Sequence, residues 1–407
     1  MKKYLAPVIG AFLVMALFAA PNKALAKLDP AIKKYQEEMK KKYKEQDKKE
    51  RDKRMADKNR RLRPYHTLEE LYAQMDEVAK KYPQLVTIES YGKTLEGRDL
   101  RALKISTGPG GKPEILFSGN IHAQELAGAE FCMALVRKLA QGCQDDRNVK
   151  YLLDNADVYV IPVLNPDGNF KAGLQQARTG FTGFVRKNKN SIDLNRNFPY
   201  PPDAPKKLND SAGSNKKWMT SYRGKDPLSE PETKDLIAFI EKHKFVISQN
   251  YHTTGGLIMY PPGTYPDKTP DDQLFVKIAN EYRELQFDKY KVVPEIDLYP
   301  TIGALDDYIY HRLGILAFSI EIGNRAETRA LIARNGAWSP IFWTYNVYYL
   351  DMENQNLMPG ALNMIQWAIK LYKQPGQIKW KPEPAWKGEP ENKSSASSTG
   401  VKLAENN

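Results

Sequence analysis

The chain is poor in cysteine. Its 407 residues include two, Cys132 and Cys143, and only five histidines. Cys132 falls within a helix predicted over about 126–140. At about 1.5 Å rise per residue, that helix holds the two thiols too far apart to bridge. No stabilising disulfide is expected, so the core must carry stability alone. Long apolar runs are also scarce. Beyond the N-terminus no stretch approaches the roughly 20 apolar residues that a spanning helix needs. No internal repeat is visible. A disulfide scaffold, a membrane-embedded chain and a repeat array are thereby excluded.

What is present is a globular composition, 41% hydrophobic and 27% charged, long enough for one large domain or two ordinary ones. The formal net charge of +12 invites a nucleic-acid reading until it is mapped along the chain. Residues 1–26 hold +3. Residues 27–63 hold sixteen Lys/Arg against eight Asp/Glu, or +8, which leaves +1 for 64–407. The globular part is close to neutral, so nucleic acid is not an expected partner.

The N-terminus has the layout of an export signal. Lys2 and Lys3 precede an apolar run from Leu5 to Ala20, and Ala24-Leu25-Ala26 offers a small-residue cleavage site. Cleavage after Ala26 and a secreted or periplasmic location are expected, with no transmembrane span in the mature chain. Residues 27–63 read as a charged basic arm, helical or disordered, able to make weak contact with an anionic surface. Residues 64–374 read as the folded domain. Residues 375–407 read as a disordered tail, Pro/Lys/Glu-rich and then Ser-rich.

Within the domain, Thr67 and Glu70 have capping-box spacing, and Leu68, Leu71, Met75 and Val78 recur at helical intervals. Strands are predicted at 85–91, 100–105, 114–118, 157–163, 245–251 and 314–321. Helices are predicted at 125–141, 229–243, 272–286, 304–312, 340–352 and 360–371. Residues 165–227 read as one long loop. Alternating strands and helices imply an α/β domain with a mixed sheet and helices on both faces.

His122 and Glu125, three apart, lie where strand 114–118 hands over to a helix, so both can reach one metal ion. His252 closes the apolar strand that begins at Phe245. Both histidines fall at carboxyl ends of strands, where open α/β sheets bind ligands. A His₂Glu set leaves a fourth zinc position open for water. Asp193-Leu194-Asn195-Arg196-Asn197 concentrates an acid, a guanidinium and two amides. Glu321 ends another apolar strand, which is costly unless the carboxylate is exposed in a cleft, paired or functional.

With these residues in place, the sequence resembles the zinc metallocarboxypeptidases of the carboxypeptidase A/B and bacterial carboxypeptidase T type. The likeness runs from about Tyr65 to Trp367. It includes Tyr91–Arg98, His122-x-x-Glu125, Asn165-Pro166-Asp167-Gly168, Arg186-Lys187, Asp193-x-Asn195-Arg196-Asn197, Tyr222-x-Gly224, Ser229-Glu230, His252, Tyr299 and Glu321. The resemblance implies a single domain with a mixed, mostly parallel sheet of about eight strands. It implies one Zn²⁺ held by His122, Glu125 and His252, and hydrolysis of the C-terminal bond of peptides by a zinc-activated water. Glu321 would be the general base and Arg186 would stabilise the oxyanion. Asn195 and Arg196 would hold the substrate's terminal carboxylate, Tyr299 would close over it, and Asp193 would orient a zinc-binding histidine.

By the family's spacing, the floor of the side-chain pocket lies seven residues after Tyr299, at Asp306. An acid there resembles members that prefer C-terminal Lys or Arg. The plainer alternative is that Asp306 faces solvent and Asp307 caps or pairs structurally. Gln124 replaces an arginine common in the family, which bears on the next subsite out. The nearest rival function is a peptidoglycan-trimming peptidase that cuts next to diaminopimelate with the same zinc site. An N-acyl amino acid deacylase and a catalytically dead binding module are further rivals. Tyr299 argues against the first, and the intact ligands and Glu321 against the second.

Overall fold

The computed structural model of the chain describes residues 65–179, 185–323, 340–383 and 386, with scattered positions between 34 and 45. The expected export segment, 1–26, lies outside the described residues, as do most of 27–63 and all of 387–407. Where the arm is described its backbone is helical, and Lys40 pairs with Asp288 at 2.7 Å.

The domain opens with helix α1 (Leu68–Lys81). Its capping box forms as the sequence predicts, with Glu70 N donating to Thr67 Oγ1 and Thr67 N to Glu70 Oε2. Leu68, Leu71, Met75 and Val78 form its buried stripe. Then come β1 (Val86–Lys93), β2 (Asp99–Ile105), β3 (Glu114–Gly119), α2 (Leu126–Asp145), α3 (Arg147–Asn155), β4 (Asp157–Ile161) and α4 (Pro166–Thr179). A short helix α5 (Ala204–Lys207) precedes α6 (Pro231–Glu241), β5 (Phe245–Thr253), β6 (Leu257–Tyr260), α7 (Asp272–Glu284), β7 (Lys291–Pro294), α8 (Leu305–Leu313) and β8 (Leu316–Ile322). Helices α9 (Pro340–Tyr345) and α10 (Leu350–Lys373) close the domain.

The eight strands form one mixed sheet in the order β1-β2-β4-β3-β5-β8-β6-β7. Its centre, β4-β3-β5-β8, is parallel, and its two-sided burial matches the near-continuous apolar runs of those strands. Helices cover both faces. Tyr251 on β5 packs its ring 4.6 Å from Phe131 of α2. Its neighbour Asn250 points to the opposite face, in register with Ser319 of β8. There Ser319 Oγ donates to Asp306 of α8 at 2.5 Å. The α8 face is the one that carries the site.

Three expectations need correction. The stretch 165–227 is not one loop. Asn-Pro-Asp-Gly looks like a turn but starts α4, with Asn165 Oδ1 accepting from Gly168 N at 3.0 Å and Pro166 at the first helical position. The two last helices are arranged differently. The second begins at Leu350 and runs unbroken through Pro359, because Leu357, Ala361, Met364 and Ile365 bury one continuous face.

The third concerns the reading of 375–407 as a tail without structure, which fails for its first part. Trp380 stacks on Tyr310 of α8 at 5.6 Å, its Nε1 donates to His311 O at 3.0 Å, and Asp271 accepts from the Lys379 and Trp380 amides. Trp386 packs near Tyr308 and His311. Both cysteines are free, with Cys132 buried in α2.

Candidate active site

Strand β3 delivers the chain to Asn120, whose φ of 57° turns it toward His122 and Glu125 at the entry to α2. Strand β5, the neighbour of β3, delivers His252. His122 Nδ1 lies 3.0 Å from Glu125 Oε1 and 3.1 Å from His252 Nδ1, and His252 Nδ1 lies 3.0 Å from Glu125 Oε2. Two imidazole nitrogens this close oppose their lone pairs unless a proton or a cation lies between them. Tetrahedral ligands at about 2.0–2.1 Å from one ion would be about 3.3 Å apart, close to what is seen. Among the described residues this buried triad is the one group of His, Cys, Asp or Glu able to hold a metal ion. The donor set fits the predicted ligands.

A second layer holds the triad. Asp193 is fully buried, with Oδ1 3.2 Å from His122 Nε2 and Oδ2 accepting from Arg186 Nε at 2.8 Å. Burial opposes ionisation of Asp193, but Arg186 and His122 outweigh it and hold the carboxyl well below its ordinary range. Burial likewise works against the charge on Arg186, yet Asp193, Tyr299 and Glu125 hold it above its ordinary value. The side-chain amide of Asn250 lies 2.9 Å from His252 Nε2. Outer partners of this kind fix ring orientation and ligand basicity.

The remaining predicted residues gather around the same place. Glu321 is in register with His252 on β8 and lies close enough to raise the latter's basicity. Arg196 is 3% exposed. Its Nη1 donates to Asn195 O at 2.6 Å, while its Nε has no partner among the described residues. A buried guanidinium with a spare donor is prepared for an incoming carboxylate. Tyr299 covers it, with the guanidinium 5.8 Å from the ring centre, and is itself 43% exposed.

Asn195 accepts from Leu305 N at 2.9 Å through Oδ1, which ties the carboxylate loop to the start of α8. Gly303 makes this approach feasible. Its φ is +72°, and a Cβ there would stand 2.3 Å from Arg196 O. Asp306 is buried, so it does not face solvent. Asp307 does act structurally, accepting from Gly263 N at 2.9 Å and Thr264 Oγ1 at 2.8 Å. Gln124 is buried, and neither polar atom of its side chain has a partner among the described residues.

Sequence reasoning missed the amides that shape the metal loop. Asn120 Nδ2 donates to the carbonyls of His122, Ala123 and Glu125 at 3.0–3.2 Å, and is backed by Asn169 at 2.8 Å. Asn346 clamps the loop from the far end of the chain, donating to Gln124 O and accepting from Leu126 N, each at 2.8 Å. The one sequence signal was the Asn two residues before His122, a residue type that tolerates positive φ. Nothing local marks Asn346.

Fold and site together define an α/β domain that carries, among the described residues, one His₂Glu donor set at the carboxyl ends of its central strands. The chain belongs to the zinc carboxypeptidase family, whose model matches residues 71–338. It is 31% identical to carboxypeptidase A4 of Mus musculus over 267 residues, covering 63% of this chain and 62% of that one. It is 32% identical to carboxypeptidase A2 of Rattus norvegicus over 271 residues, covering 64% and 63%. With carboxypeptidase D of Anas platyrhynchos it shares 27% over 288 residues, 64% of this chain but 19% of the other. The chain thus spans less than two thirds of the length of these curated relatives. The structure of bovine thrombin-activatable fibrinolysis inhibitor shares the fold, with a TM-score of 0.63 at 23% identity, covering 75% of this chain and 98% of that one. Carboxypeptidase A of Helicoverpa armigera does likewise, with a TM-score of 0.59 at 22% identity and coverage of 75% and 73%.

Proposed function

We propose that the chain is a zinc-dependent carboxypeptidase that removes the C-terminal residue of peptides, with a preference for Lys or Arg. The observation that carries this reading is a His₂Glu donor set beside a buried Arg196, which acts on Asp193 and whose Nε has no partner among the described residues. An exopeptidase must measure its distance from a chain end, and a fixed guanidinium beside the metal centre does so.

His122, Glu125 and His252 would hold the zinc ion. A bound zinc ion supplies Lewis acidity, which polarises the scissile carbonyl and acidifies water. Arg196 and Asn195 anchor the terminal carboxylate, and Tyr299 closes the mouth and excludes water. Glu321 takes a proton from the attacking water and returns it to the leaving amine. Arg186, kept charged by Asp193, steadies the negative charge that grows on the carbonyl oxygen.

Asp306 supplies the acidic floor. Its Oδ1 is buried and accepts no hydrogen bond of good geometry among the described residues, though the Asn250 amide is near, as suits a pocket awaiting a cation. Residues 1–26 are read as a cleaved export signal. The arm at 27–63 is read as a weak tether to anionic surfaces, whose removal should lower retention at low salt without changing turnover. Among the described residues no helix is long and apolar enough to cross a membrane.

The test is product analysis on a random peptide mixture, with and without chelator. Sequential loss of C-terminal residues, Lys and Arg first, abolished by chelator and restored by zinc, supports the reading. Internal cleavage, or release confined to muropeptides, sinks it.

A further inference from the structure

The proposed reading assigns one carboxylate to the pocket floor, and the structure holds a second beside it. Glu295 opens the short 3₁₀ turn Glu295–Asp297, just before Tyr299. Its side chain turns inward and is 7% exposed. Ser319 donates to Asp306 and lies within hydrogen-bonding reach of Glu295 as well, so the two acids meet across one hydroxyl.

Their unmet capacity is what distinguishes this place. Glu295 Oε1, Asp306 Oδ1 and Thr301 Oγ1 are all buried, and none has a partner among the described residues. Buried carboxylate oxygens are costly to leave without donors, so natural structures rarely do so without a reason. Asp307 shows the contrast. It lies next to Asp306 in sequence, but backbone and hydroxyl donors satisfy it.

The space is kept open as well. A Cβ at Gly263 would stand 2.7 Å from Thr301 Oγ1 and 2.8 Å from Glu295 Oε2. Arg196, the proposed dock for the terminal carboxylate, is near enough to act on the charge of Glu295, as are Asp306 and Asp307 with the opposite sign.

We propose that Glu295 and Asp306 form a paired-carboxylate floor that grips the cationic head of a C-terminal Arg or Lys from two sides, with Thr301 Oγ1 as a third acceptor. This deepens the basic-residue reading and rests on it. An incoming guanidinium or ammonium brings five or three donors and a positive charge, which meets the idle oxygens and cancels the repulsion between the acids. A neutral side chain meets neither need. Glu295 is therefore a substrate-binding residue that acts on selection and leaves bond cleavage to the metal centre.

The experiment compares benzoyl-glycyl-Arg, -Lys and -Phe as substrates of the zinc-loaded full chain, in the wild type, Glu295→Gln, Glu295→Asp and Asp306→Asn. Wild type should favour Arg and Lys. Glu295→Gln should cut the Arg-to-Phe ratio of kcat/KM by about tenfold or more, through KM, and raise the inhibition constant of free arginine in parallel. Glu295→Asp should fall between. If Glu295→Gln lowers Arg and Phe turnover in equal proportion, or leaves the ratio unmoved while Asp306→Asn shifts it, the paired floor is wrong. A wild type that prefers Phe would instead overturn the basic-residue reading itself. Thermal melts of each variant separate loss of fold from loss of binding, and Glu295→Asp keeps the test open should Glu295→Gln not fold.

Discussion

His252 and Glu321 are register partners on neighbouring parallel strands, β5 and β8. The sheet's own hydrogen bonds therefore set the spacing between a proposed metal ligand and the proposed base. Glu321→Gln should leave that spacing and the zinc content intact, yet lower kcat by about 10²–10⁴-fold. Metal analysis beside steady-state kinetics checks it. Unchanged turnover would remove Glu321 from the mechanism.

Asp193 joins His122 to Arg186, so its loss should be felt twice. Asp193→Asn keeps the shape but removes the charge that both partners lean on. Zinc affinity should drop by about 10–100-fold, as for other outer partners of metal-bound histidines. Competition with a chromophoric chelator reads this directly. Turnover should stay low even at saturating zinc, because Arg186 loses its fixed orientation.

Gly303 tests whether the carboxylate dock depends on backbone fit. Alanine there brings a Cβ within 2.3 Å of Arg196 O and sits poorly at a φ of +72°. Gly303→Ala should cost about 1–3 kcal/mol in stability and raise KM for peptides with little change in zinc content. Urea titration and peptide kinetics together check it. A free C-terminal carboxylate should matter less to the variant than to wild type.

Glu232 offers a test of stability against pH, outside the His₂Glu donor set. Burial, helped by the charge of Glu230, raises its pKa to about 7 from the ordinary 4.5. The folded chain thus holds this proton more tightly than the unfolded one. The associated stability is complete below about pH 4.5 and is lost as pH rises toward 7, a change on the order of 3 kcal/mol. Glu232→Gln should flatten the fall in thermal midpoint between pH 5 and 7. An unaltered slope would place the titration elsewhere.

The parts of the site that sit on strand ends were legible in the sequence. A histidine or glutamate closing an apolar run has few structural excuses, and His252 and Glu321 stood out for that reason. The spacing of His122 and Glu125 carried its own geometry. The central strands were legible because burial on both faces leaves long apolar stretches. Strands β6 and β7, of four residues each, were too short to show a period. Helix α4 was hidden by an Asn-Pro-Asp-Gly start that reads equally well as a turn. Glu295 was missed because it lies in an irregular segment, where no pattern tells an inward acid from a solvated one. Asn346 acts on a loop 222 residues away, and no local pattern could connect the two.

Trp380 and Trp386 have a consequence for the other end of the domain. They brace the side of α8 formed by Tyr308, Tyr310 and His311, and α8 is the helix that carries Asp306. The proposed metal ligands sit past the end of β3, at the entry to α2 and near the end of β5. Trimming the chain after Lys373 should therefore unsettle the proposed specificity wall before it disturbs the proposed metal centre. Proteolytic fraying at the C-terminus would then make the protein less discriminating before it made it less active.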